Sequence, residues 1–245
     1  MENKQISCKN CGNQYGGKFC NVCGQKAGTY RITWKEIFHH LPHAFFHLDE
    51  GFFYTIKQLA IRPGHTIREY LEGKRKSHYN PFLMLILLAG LCSYLFVYFH
   101  FQTIFASVSI DKLEVQNPFI AHKYFFARTI FFCLLCSAGD YLFFYEKKYS
   151  LPEMVVANVL MFCEVTVFQL IFIPFLLAGR YFDVNYYLRF FFVIAVLVYL
   201  FITRYQFYNA KANKWLTAKI VLALLLYLSI IIVIGLQLVK PALEN

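Results

Sequence analysis

The chain has 245 residues, 58% of them apolar and 20% aromatic. A soluble domain runs near half apolar, so this balance excludes an ordinary aqueous globule and points to contact with lipid. Against 14 Asp and Glu stand 24 Lys and Arg, a net charge of +10, and half of those cations precede residue 81. That placement suits membrane topology and lipid contact, and makes nucleic acid an unlikely partner.

The first pattern in the chain is a pair of matched turns, Cys8-Lys9-Asn10-Cys11-Gly12 and Cys20-Asn21-Val22-Cys23-Gly24, eight residues apart. A Cys-x2-Cys turn brings two thiolates to one side of a tetrahedral ion, and the Gly that follows lets the backbone turn left-handed beside it. Cys8, Cys11, Cys20 and Cys23 are therefore expected to form a closed four-thiolate site for structural Zn2+, with no open position for Lewis-acid chemistry. Four cysteines also hold iron–sulfur centres, which is the rival reading of the same ligands. Residues 1–28 are read as this zinc ribbon, too small to fold without metal. Thiolate ligands need a reducing compartment. Cys92, Cys133, Cys136 and Cys163 fall in apolar runs and read as small hydrophobes.

Residues 29–80 read as an amphipathic juxtamembrane collar. Trp34, Ile37, Phe38, Leu41, Phe45 and Leu48 form one helical stripe, with Pro42 expected to bend or split the helix. His39, His43 and His47 recur at i, i+4 and i+8 on the opposite face. They are candidates for a second metal or a pH-sensing site, against the plainer reading of a half-polar aromatic face at the headgroups. A second apolar segment, Phe52–Ile61, should stop at Pro63-Gly64. Thr66 and Glu69 then read as a capping box that opens a short helix ending at Gly73. Lys74, Arg75 and Lys76 follow, expected to meet anionic lipid headgroups at ~1 kcal/mol per cation or to serve topology alone.

From residue 81 the chain reads as an all-α, five-span transmembrane bundle, residues 81–245, with spans at about 82–101, 124–145, 152–178, 187–206 and 216–239. Runs of about twenty apolar residues cross a hydrocarbon core ~30 Å thick. No such run precedes residue 81, so no cleavable signal peptide is expected. With the N-terminus cytosolic and the C-terminus outside, eighteen Lys and Arg fall on the inner side and five on the outer. Ionisable groups inside spans are costly and rarely idle. Arg128 and Glu164 are expected to lie within ~6 Å in depth, counted from the cytosolic ends of their spans, and so to pair. Asp140 and Asn158 should meet by a hydrogen bond, and Gln169 adds polarity, giving a polar seam between the second and third spans. The seam is read either as packing or as a path for transport. No G-x-S-x-G, P-loop, H-E-x-x-H or G-x-G-x-x-G pattern is present, so no enzyme is expected.

Several strings stand together in the chain: the cysteine turns with Phe19 and Gln25, then Arg31-Ile32-Thr33, Gly51-Phe52-x2-Thr55, and Arg62-Pro63-Gly64-x2-Ile67-Arg68-Glu69-Tyr70-Leu71-x-Gly73-Lys74-Arg75, with Tyr79 and Pro81-Phe82. Together, over residues 8–90, they resemble an uncharacterised family of bacterial zinc-ribbon inner-membrane proteins, a domain of unknown function. The resemblance implies a multi-pass protein of the bacterial inner membrane and brings no activity with it. The expected function is a non-enzymatic membrane protein whose cytosolic ribbon and collar dock a protein partner or organise the bundle. A small transporter or channel using the seam is the alternative, and a metal-dependent membrane enzyme using the histidines a weaker one. The oligomeric state is not legible.

Overall fold

A computed structural model describes residues 5–29, 31–40, 50–99, 118–145, 149–181, 185–209 and 213–243. Two short strands, β1 (Ile6–Ser7) and β2 (Gln14–Tyr15), pair antiparallel, with Ile6 opposite Tyr15. The remaining elements are helices: α1 (Trp34–His40), α2 (Glu50–Ile61), α3 (Pro63–Glu72), α4 (Pro81–Tyr98), α5 (Pro118–Phe143), α6 (Leu151–Tyr181), α7 (Asn185–Phe207) and α8 (Lys214–Leu243).

Local chemistry sets several helix starts. Asn80 accepts hydrogen bonds from the amides of Phe82 and Leu83, and Pro81 fills the first position of α4, where its missing donor costs nothing. Ser150 donates its amide and hydroxyl to Glu153 ahead of α6. At α1 the amide of Thr33 donates to Glu36 while the Glu36 amide donates to the Thr33 hydroxyl, a reciprocal capping box. The box expected at Thr66 and Glu69 does not form. Helix α3 begins three residues earlier, with Pro63 in its first turn, so Thr66 sits within the helix and donates to the carbonyls of Gln58 and Arg62. Its end is where the sequence places it, at Gly73, whose φ of 117° only glycine adopts readily.

Among the described residues, three helices are long and apolar enough to cross a membrane: Pro81–Tyr98, Leu151–Gly179 and Phe190–Phe207. The five expected spans thus reduce to three by this measure. Helix α5 carries Lys123, Arg128 and Asp140, and the described part of α8 opens with Lys214 and Lys219. Helix α6 lies at the centre, packed against α4, α5 and α7, and is buried continuously from Pro152 to Met161.

The collar joins the bundle at one end. Gly64 of α3 lies so close to α7 that a Cβ there would collide with the Thr203 carbonyl oxygen, the Phe207 amide nitrogen and Gln206. The Gly64 amide donates to the Gln206 side chain at 3.1 Å, and the Arg68 guanidinium donates to the carbonyls of Gln206 and Phe207. These carbonyls end α7, where that of Gln206 also accepts the Asn209 amide at 3.2 Å, and a cation at a helix C-terminus is favourable. Tyr149, just before α6, stacks on Phe207 at 4.9 Å between centroids. The start of α6 and the end of α7 therefore sit together beneath the collar.

Candidate metal centre and polar core

The two cysteine turns are built alike. The amide of Gly12 donates to the Cys8 carbonyl at 2.8 Å, as that of Gly24 does to Cys20, also at 2.8 Å. Cys8 donates its amide to Asn13 and Cys20 to Gln25. Both glycines have positive φ, 76° and 71°. The turns face each other so that Cys8 and Cys23 sulfurs lie 3.5 Å apart and Cys11 and Cys20 sulfurs 3.6 Å apart. All four sulfurs fall within 4.8 Å of one another, an arrangement that could hold one metal ion. The Cys23 amide points at the Cys20 sulfur and lowers that thiol, while burial and the neighbouring sulfurs push the Cys11 thiol up.

Beyond its second turn the ribbon grips the collar. The Gln25 side chain donates to the Gly73 carbonyl at 2.9 Å and accepts the amides of Arg75 and Lys76 at 3.3 and 3.2 Å. Ser77 donates to Asn10 in the first turn at 3.1 Å, and Lys9 reaches the Thr29 carbonyl at 3.0 Å. In the sequence Gln25 stands out only as part of the string on which the family resemblance rests.

The basic run is largely engaged within the chain. Glu69 takes both Arg62, through two contacts at 2.9 and 3.2 Å, and Lys74 at 3.0 Å. Burial alone would raise the Glu69 carboxyl, but Lys74 and Arg62 outweigh it and hold it below the usual range. Arg75 pairs with Glu36 at 3.7 Å and lies over the Tyr70 ring, leaving Lys76 the exposed member of the three. Nearby, His78 packs against Tyr54 and Tyr70 and reaches Thr55 at 3.3 Å; burial, helped by Lys74, pushes its imidazole down to about 4. His43 and His47 lie outside the described residues, as does the side chain of His39.

Inside the bundle, four helices meet at one polar cluster. Asp140 of α5 pairs with Arg204 of α7, Oδ2 to Nη2 at 3.0 Å, the side chains 1% and 2% exposed. Asn158 of α6 donates to Asp140 at 3.0 Å and accepts from Arg204 at 3.3 Å. Tyr227 of α8 donates to Asp140 at 3.0 Å, and the Arg204 guanidinium lies over its ring. Gly139 makes room, since a Cβ there would meet the Tyr227 hydroxyl at 2.5 Å.

The structure thus brings Asp140 and Asn158 together and adds Arg204 and Tyr227, which the sequence reading left out of the seam. Arg204 reads from sequence as a topology signal; its position in the last turn of an apolar run, level with Asp140 and Asn158, was the available clue. Arg128 and Glu164 do not pair, for neither carboxylate oxygen of Glu164 has a hydrogen-bond partner among the described residues. The Asp140–Asn158 contact fixes the register. From that level Arg128 lies twelve residues away and Glu164 six, so at 1.5 Å per residue they are offset by ~9 Å. Gln169 instead faces α4, where the Cys92 thiol lies 3.6 Å from its carbonyl oxygen.

Residues 49–92 match the family model described as "Protein of unknown function (DUF3667)". That stretch covers α2, α3, the Gln25-binding segment and the first part of α4, and leaves the four cysteines outside it. No curated protein and no solved structure matches the chain.

Proposed function

We propose that this chain is a non-enzymatic integral protein of a bacterial inner membrane, in which a cytosolic zinc ribbon and collar organise one end of a five-span bundle. The observation that carries this reading is the Gln25 clamp. The Cys20 amide holds the Gln25 backbone within the second cysteine turn, while the Gln25 side chain makes three hydrogen bonds to residues 73–76. Metal binding is thereby linked to the segment that leads into α4. Zinc suits the ligand set: with Zn–S bonds of ~2.3 Å a tetrahedron has sulfur–sulfur edges of ~3.8 Å, close to the 3.5 and 3.6 Å found. The exposure of Lys76 just ahead of α4 supports, in this reading, contact with anionic headgroups.

The experiment compares the zinc-loaded full-length chain in detergent with its chelated form and with Cys20→Ser. One zinc per chain is expected, and its loss should raise hydrogen exchange across residues 63–80 while exchange in α6 stays slow. If the collar amides exchange equally slowly after the ribbon has lost its metal, the ribbon does not organise the bundle and the reading fails.

A further inference from the structure

Four buried side-chain atoms have no hydrogen-bond partner among the described residues: both carboxylate oxygens of Glu164, the Tyr199 hydroxyl, and Nη1 of Arg204. All belong to α6 and α7, which pack against each other. Buried polar atoms are almost always satisfied, so four orphans on one interface call for a reason. Their order along the helices supplies one. Arg204 meets Asn158, fixing the antiparallel register of α6 and α7. From that level Glu164 lies six residues along α6 and Tyr199 five along α7, which puts the two at depths of ~9 and ~7.5 Å on the same side. Tyr199 and Glu164 therefore lie at similar depth along their helices, and Arg204 lies between them and the collar.

Glu164 is 0% exposed and sits midway along the apolar run Leu151–Gly179. An ionised carboxylate without partners in such a place is far costlier than a neutral acid. The groups around it do not supply a ready counter-charge. Cys163 is its neighbour on α6, Cys92 lies on α4, Arg128 (offset in depth as described above) and Cys133 on α5, and Tyr199 on α7. Helices α2 and α3 meet α6 nearer the collar, where Arg62 and Glu69 bind each other and Arg68 binds the end of α7. A permanently sealed neutral acid would leave the adjacent Tyr199 and Arg204 donors unexplained. A site that takes up a proton accounts for the two carboxylate oxygens, and the Tyr199 hydroxyl and Arg204 Nη1 are polar donors along the interface between that site and the collar.

We propose that Glu164 is an intramembrane proton-binding site that loads and releases one proton toward the collar end, along the α6–α7 interface lined by Tyr199 and Arg204. The inference does not depend on the ribbon's role, because it concerns atoms in the bundle alone.

The test uses the full-length zinc-loaded chain in lipid vesicles and reads infrared difference spectra after a change of pH and after exchange into heavy water. The parent should show the carbonyl stretch of a protonated carboxylic acid at neutral pH. This band should shift in heavy water, fade as the pH is raised, and vanish in Glu164→Gln. Glu164→Asp, which keeps an acid one methylene shorter, should move the band, so the assignment survives even if the Gln variant does not fold. Tyr199→Phe should slow the isotope shift severalfold while leaving the band in place. Absence of the band in the parent would mean an ionised, paired Glu164 and would overturn the proposal. A band that neither exchanges nor titrates would mean a sealed structural acid and would overturn it equally.

Discussion

Asp140 and Arg204 illustrate what a single buried pair contributes at the residue scale. Their side chains are 1% and 2% exposed, and each also touches Asn158 or Tyr227, so neither charge can be rehydrated when its partner is lost. Replacing one partner of such a pair costs ~3–5 kcal/mol, because the other charge is left buried and uncompensated. We therefore expect Asp140→Asn to lower the thermal midpoint in detergent sharply, and Asp140→Leu combined with Arg204→Met to lower it much less than the two single losses together. Additive losses would mean that the residues act independently. Asp140 and Asn158 were legible in the sequence because two polar residues at matching depth in adjacent apolar runs have few other ways to be satisfied. Arg204 was not, since a cation in the last turn of a span is equally well explained by the positive-inside rule, and only packing reveals that it turns inward. The expected Arg128–Glu164 pair failed on the same point: counting depth from helix ends accumulates error, whereas a hydrogen bond such as Asn158 to Asp140 fixes the register directly.

Among the elements, the collar was the most legible in outline and the least in detail. Its helix-terminating Gly73 was evident because a left-handed residue after an apolar helix is read from sequence directly. The capping box was assigned to Thr66 and Glu69, yet the same T-x-x-E spacing at Thr33 and Glu36 is the one that forms. Pro63 decides between them, since it starts α3 early and leaves Glu69 free to bind Arg62 and Lys74. His78, absent from the sequence reading, gives the collar a pH dependence. Its folded value is depressed from 6.5 to about 4 by burial and the nearby Lys74, so below 6.5 the unfolded chain binds a proton that the folded collar refuses. Its contribution is thus full above pH 6.5 and is lost progressively as the pH falls toward 4. Glu69, also depressed, loses its contribution in the same direction at lower pH still. Amide protection across residues 50–80, taken relative to the intrinsic exchange rate at each pH, should fall between these limits in the parent, and His78→Asn should flatten the upper part of that dependence. An equal loss of protection in the variant would assign it to another group.

At the scale of the whole molecule, the proposed five-span arrangement can be tested against which helix ends meet. The collar precedes α4, yet Gly64 and Arg68 of α3 bind the end of α7. The start of α4 and the end of α7 must then lie on one side, which requires an even number of crossings between residues 81 and 207. Pro81–Tyr98, Leu151–Gly179 and Phe190–Phe207 supply three. The proposed five-span arrangement takes α5 as the fourth, the helix found among the described residues of 99–150, and its polar Asp140 is tolerated because Arg204, Asn158 and Tyr227 satisfy it. In that proposal α8, whose Tyr227 joins the same cluster, leaves the collar side as a fifth pass. The proposal also sets Arg204, Lys214 and Lys219 on the side of the cysteine turns, as the positive-inside rule prefers. A short epitope inserted after Asn209 should accordingly be shielded in intact spheroplasts and reached by antibody only in inverted vesicles, and one placed after Asn245 should behave in the opposite way. If the Asn209 epitope is open from outside while one beside the ribbon is not, the contact of α3 with α7 cannot exist in the membrane, and the five-pass arrangement falls with it.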